Sequence, residues 1–61
     1  MKYIDFLFVD GLTGEEFLVE VQDTQYAQKY AFEIAHENFQ MPKLICQMSS
    51  EQAEWLGIDT Y

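Results

Sequence analysis

The sequence contains no arginine and only three lysines, Lys2, Lys29 and Lys43, against eleven acidic residues, which leaves a formal charge of -8. Proteins that hold DNA or RNA neutralise phosphates with Lys and Arg, so direct nucleic-acid binding is disfavoured, as is an anionic membrane surface. A single cysteine, Cys46, excludes an intramolecular disulfide, and no set of residues has the spacing of a structural zinc site. No run approaches about 18 consecutive apolar residues, so no membrane-spanning helix is expected. The opening "MKYIDF" lacks the charged segment, apolar run and cleavage site of a secretory signal. Together with the lone cysteine this gives the expectation of a cytoplasmic domain. Repeats, low-complexity tracts and linker composition are also missing. Gly11 and Gly14 lie in a turn rather than ahead of a helix, so no phosphate-cradling loop is present.

What is present is apolar. Hydrophobic residues make up 49% and aromatic residues 16% of the chain, too rich a mixture for a disordered tail. Residues 1–61 are therefore read as one small domain. A chain of this size buries only about 60% of the surface that its unfolded form exposes, so it depends on close packing or on self-association.

Two segments alternate with a two-residue period. In the first, Ile4, Phe6 and Phe8 point one way, while Tyr3, Asp5, Leu7 and Val9 point the other. In the second, Phe17, Val19 and Val21 oppose Glu16, Leu18, Glu20 and Gln22. "DGLTG" between them is a turn signal, and the pair reads as a β-hairpin. For the two wholly apolar faces to coincide, a four-residue loop from Gly11 to Gly14 must set Phe8 opposite Phe17, Phe6 opposite Val19 and Ile4 opposite Val21. The same register sets Leu7 opposite Leu18 and Asp5 opposite Glu20.

"DTQYAQKYAFEIAHENFQM" reads as a helix, with Asp23 or Thr24 as its N-cap and an end before Met41 imposed by Pro42. Ala27, Tyr30, Ala31, Ile34, Ala35 and Asn38 share one side, and the three alanines form a ridge that admits close approach to a phenylalanine-filled sheet. His36 falls on the opposite, exposed side. "KLICQMS" reads as a third strand with Leu44, Cys46 and Met48 inward, where a cysteine acts as a small hydrophobe. In "SSEQAEWLG", Ser49 and Gln52 have capping-box spacing and Gly57 suits a helix exit; "IDTY" reads as a short tail. The fold class is α+β, in the order ββαβα. A crossover helix makes the second and third strands run the same way, and the greasiest strand belongs in the middle, giving strand order 2-1-3.

The second sheet face then carries Tyr3, Leu7, Val9, Leu18 and Ile45, bordered by Asp5, Glu16, Glu20 and Gln47. Either the terminal helix lays Trp55, Leu56 and Ile58 across this face, or the face meets another chain. A helix of about two turns covers little area, so the second alternative is preferred. The expectation is a non-catalytic protein–protein interaction module that docks another protein or a second copy through Tyr3, Leu7, Val9, Leu18, Ile45 and Trp55. The alternative is an acidic surface of Asp5, Glu20, Glu33, Glu37, Glu51 and Glu54 that imitates a row of phosphates, as inhibitors from phages and mobile elements do. No enzyme activity, cofactor or metal is expected, because a layer this thin leaves little room for a water-excluding pocket and no third ligand joins Asp5 and Glu20.

Overall fold

A computed structural model of the chain describes residues 2–61. Strands β1 (Tyr3–Asp10) and β2 (Glu16–Gln22), helix α1 (Ala27–Asn38), strand β3 (Pro42–Ser49) and helix α2 (Ser50–Leu56) follow in chain order. The sheet has the order β2-β1-β3, and β1 is antiparallel to both neighbours. The hairpin register is the one that parity requires: Phe8 faces Phe17, Phe6 faces Val19, Leu7 faces Leu18 and Asp5 faces Glu20.

The turn explains a buried charge. Asp10 is only 5% exposed, yet its Oδ1 accepts from the Leu12 amide (3.1 Å) and its Oδ2 from the Thr13 hydroxyl (3.3 Å). The Gly14 amide donates to the Asp10 carbonyl at 2.7 Å, with Gly14 at φ 78°, a region open to glycine and strained for other residues. Asp10→Ala removes both side-chain bonds and should cost about 1–2 kcal/mol, read as a lower urea midpoint with an unchanged slope.

One core lies between α1 and the sheet. Phe6, Phe8, Phe17, Val19 and Val21 form its floor, and the ridge of Ala27, Ala31 and Ala35 forms its ceiling. Each enclosed phenylalanine contributes about 2–3 kcal/mol of burial. Phe32, whose position on α1 is not part of the alanine ridge, meets the Phe8 ring edge-on at 5.2 Å. Tyr30 and Asn38, expected on the packed side, are exposed. His36 is exposed, as its helical phase implies. The helix also starts later than its cap signal suggests. Its N-cap is Tyr26, with no side-chain hydrogen bond, in place of Asp23 or Thr24. Thr24 Oγ1 instead accepts from the Tyr26 amide (3.2 Å) and builds a separate turn ahead of the helix.

Strand β3 departs from strict alternation. Leu7 pairs with Cys46 and Phe8 with Leu44, so Ile45 is an extra, bulged residue. Leu44 keeps its inward place, but everything after the bulge changes face. Cys46 is exposed on the Leu7 side, and Met48 sits opposite Asp5. The inward positions expected for Cys46 and Met48 are thereby corrected, and Gln47 moves to the Phe6 register.

Candidate functional site

Two short devices carry the chain back over the second face of the sheet. Ser49 and Gln52 form a complete capping box: the Gln52 amide donates to Ser49 Oγ (3.2 Å), and the Ser49 amide donates to Gln52 Oε1 (3.3 Å). This starts α2 directly at the end of β3. Gly57, in the left-handed region at φ 64°, ends it and redirects the chain. Helix α2 packs on β1 and β3. The residues read as a short tail then add to the free side of β2. The Leu18 amide donates to the Asp59 carbonyl (2.8 Å), the Tyr61 amide to the Leu18 carbonyl (2.8 Å) and the Glu20 amide to the Tyr61 carbonyl (3.0 Å), which makes a parallel bridge between Leu18 and Thr60. On the core side, the Tyr61 ring meets Phe17 (5.7 Å) and Phe39 (5.5 Å) edge-on.

These contacts divide the residues expected to form a docking face. Leu18 is sealed, at 1% exposure; Leu7 and Val9 are half-buried; Tyr3 and Ile45 are about half-exposed; and Trp55, at 90%, stands in solvent. Trp55 thus gives no cover to the sheet, and Leu56 gives little at 45% exposure. The roof is made instead by Ala53, which is 4% exposed, by Ile58 and by the tail. Helix α2 points its smallest side chain down and its largest one out.

Beneath α2 lies a pocket of about 250 Å³. Asp5 and Glu20 form its floor, Ser50, Ala53 and Glu54 come from the helix, and Ile58 and Thr60 close one side. Asp5 is 3% exposed. The Ser50 hydroxyl lies 3.4 Å from Asp5 Oδ1 and 3.2 Å from Glu20 Oε2. One hydroxyl carries one proton, so it serves one carboxylate at a time. Burial pushes the Asp5 carboxyl up to about 6, the hydrogen bond to and charge of Glu20 push the same way, Glu54 adds to this, and only the Ser50 hydrogen bond opposes it. Among the described residues, no lysine or histidine lines the pocket. Among the described residues, no group of three or more His, Cys, Asp or Glu side chains is placed to hold a metal ion.

The other carboxylates lie apart. Glu33 and Glu37 belong to α1, which packs on the Phe6 face, whereas Glu51 and Glu54 belong to α2 on the Asp5 face. The opposition of Asp5 and Glu20 is readable from hairpin parity. The part played by Ser50 is not, since its neighbour Ser49 carries the capping signal and nothing local brings residue 50 back to residues 5 and 20.

The two edges of the sheet differ. The β2 edge is closed by residues 59–61, while among the described residues β3 has a strand neighbour on one side only. Strand β3 is also the one secondary-structure element with no carboxylate; it carries Lys43 near its start, and Glu51 follows just past its end. Its beginning is guarded by Pro42, Lys43 and the bulge, devices that discourage edge pairing, whereas Cys46–Ser49 carries none of them. Among the described residues, no helix is long and apolar enough to cross a membrane. Compared with models of protein families, with curated proteins and with solved structures, the chain matches none.

Proposed function

We propose that this chain is a small, non-catalytic interaction module that associates with a second copy of itself through the open edge of β3 and the apolar rim beside it. The observation that carries this reading is the contrast between the two edges: one is closed by the chain's own tail, and the other is open and free of acid. An unpaired strand edge is a template for another strand. In a chain of charge -8, like-charge repulsion is least along the one element that lacks carboxylates.

The charge pattern favours a second copy over an arbitrary strand. Lys43 precedes the unguarded stretch and Glu51 follows it, so an antiparallel two-fold pairing centred near Gln47 brings each lysine toward the other copy's glutamate. Ile45, at 50% exposure, and Trp55 supply apolar anchors of the kind that dominate interface energetics. Of the six residues expected to dock a partner, Ile45 and Trp55 are among those that stay exposed, whereas Leu18 is covered by the tail. The division of the carboxylates between two sheet faces supports association over phosphate mimicry, which needs them in one row.

Sedimentation velocity tests this. Wild-type protein should approach twice the 7.2 kDa chain mass as concentration rises. Gln47→Glu places a carboxylate on the pairing stretch of both copies and should shift the equilibrium back to monomer without changing the circular dichroism spectrum. A wild-type chain that stays monomeric at every attainable concentration contradicts the proposal.

A further inference from the structure

We propose that Asp5, Glu20 and Ser50 form a proton-operated latch that holds α2 and the C-terminal residues on the second sheet face and releases them when the carboxylate pair loses its shared proton. This inference is independent of self-association. It rests on the packing of a single chain, and its test needs no partner.

The geometry sets two carboxyl groups against each other. Asp5 and Glu20 are direct cross-strand partners, and such positions hold their Cβ atoms only about 5 Å apart. Asp5 is almost wholly removed from water, so its charge is not relieved by solvent. Among the described residues, the groups that face it are all of one sign or neutral. Strand β2 contributes Glu20, and α2 contributes Ser50 and Glu54. Strand β3 contributes Met48, which does not titrate. The tail contributes Ile58 and Thr60. Among the described residues, no cation stands in the lining to neutralise a doubly ionised pair.

With one proton on the pair, Asp5 and Glu20 hydrogen-bond to each other and the Ser50 hydroxyl donates to one of them at a time, so the start of α2 is tied to the joined pair. When that proton leaves to solvent, two negative charges remain on the floor with Glu54 above them. The repulsion is relieved if α2 lifts and water enters the pocket. The tail follows α2 through Gly57, so its three hydrogen bonds to Leu18 and Glu20 open in the same event. Opening uncovers Leu18 and Leu7, the apolar centre of the face. The raised Asp5 carboxyl, near 6, places the transition between mildly acidic and neutral solution.

Amide hydrogen exchange by NMR on the full chain reads this directly. The Leu18 and Glu20 amides point to the tail, while those of Phe17 and Val19 alternate toward β1. Protection of the first pair, relative to the second, should fall between about pH 5 and pH 7.5 by about tenfold, the change that a carboxyl near 6 when docked and 3.8 when free gives over that interval. Asp5→Asn and Glu20→Gln each remove the need for the shared proton and should hold the ratio flat. If one variant does not fold, the other carries the comparison. A wild-type ratio that is constant with pH overturns the latch. So does a loss of protection in which all four amides fall together, or a variant that titrates like wild type.

Discussion

Phe17→Ala should remove a large part of the chain's stability. Phe17 is fully buried and holds together parts of the chain that are far apart in sequence. Its ring stacks on Phe39 at 3.8 Å and lies parallel to Phe8 at 5.4 Å, and it receives the edge of Tyr61 at 5.7 Å. Those contacts join the central strand, the exit of α1 and the C-terminal tail. Truncating a buried phenylalanine costs about 3–5 kcal/mol. At roughly 0.05–0.15 kcal/mol per residue, a chain of 61 residues has only about 3–9 kcal/mol to lose. Far-ultraviolet circular dichroism should therefore show a melting transition lowered by about 12–40 °C, or none at all where that exceeds the chain's stability. A Phe17→Ala protein that melts within a few degrees of wild type would mean that the ring cluster is not the centre of the core.

Stability should fall as the pH rises from about 4 to 7, which is the reverse of acid denaturation. The sign follows from Asp5, whose carboxyl is raised from 3.8 to about 6 by burial and by Glu20. Between those values the folded chain binds more protons than the unfolded one, so raising the pH favours unfolding. The contribution is fully present below 3.8 and is lost as the pH passes through about 6. Its upper limit is about 3 kcal/mol, from a shift of roughly two pH units at 1.36 kcal/mol each. Discharge of the other carboxylates acts in the same direction, because the net charge is -8, so wild type alone does not isolate the effect. Asp5→Asn does. It should raise the melting temperature at neutral pH, where wild type carries the ionised pair, and leave the two proteins similar near pH 4. A variant less stable than wild type at neutral pH would show that the ionised Asp5 is well accommodated, contrary to the packing around it.

Much of the architecture is legible in the sequence because it follows from parity and from local chemistry. Alternation in Tyr3–Val9 and Glu16–Gln22 determines which residues face each other, hence the Asp5–Glu20 opposition. Ser49, Gln52 and Gly57 specify the limits of α2 through side-chain and backbone chemistry within a few residues. Three features resist such reading. The bulge at Ile45 adds one residue with no local signature, and it reverses the face of Cys46 and Met48 because the strand period is two. The start of α1 moves because Thr24 satisfies a nearer amide before the helix begins. The pairing of Asp59–Tyr61 with β2 is three residues long and non-local, so no periodicity can announce it. That last feature decides the fate of the second face: it seals Leu18 and leaves Ile45 and Trp55 outside. Alternation in the strands marks a face with too much apolar surface, but not how the chain divides it.

The division of the sheet into one closed edge and one open edge is tested most directly by following amide exchange along the chain as protein concentration increases, at a mildly acidic pH that keeps the C-terminal residues docked. The Leu18 and Glu20 amides should be slow at every concentration, and the outward-facing Gln47 amide of β3 should be fast in dilute solution and slow in concentrated solution. Fast exchange at Leu18 in the dilute chain would contradict the closed edge, and a Gln47 amide indifferent to concentration would contradict association through the open one.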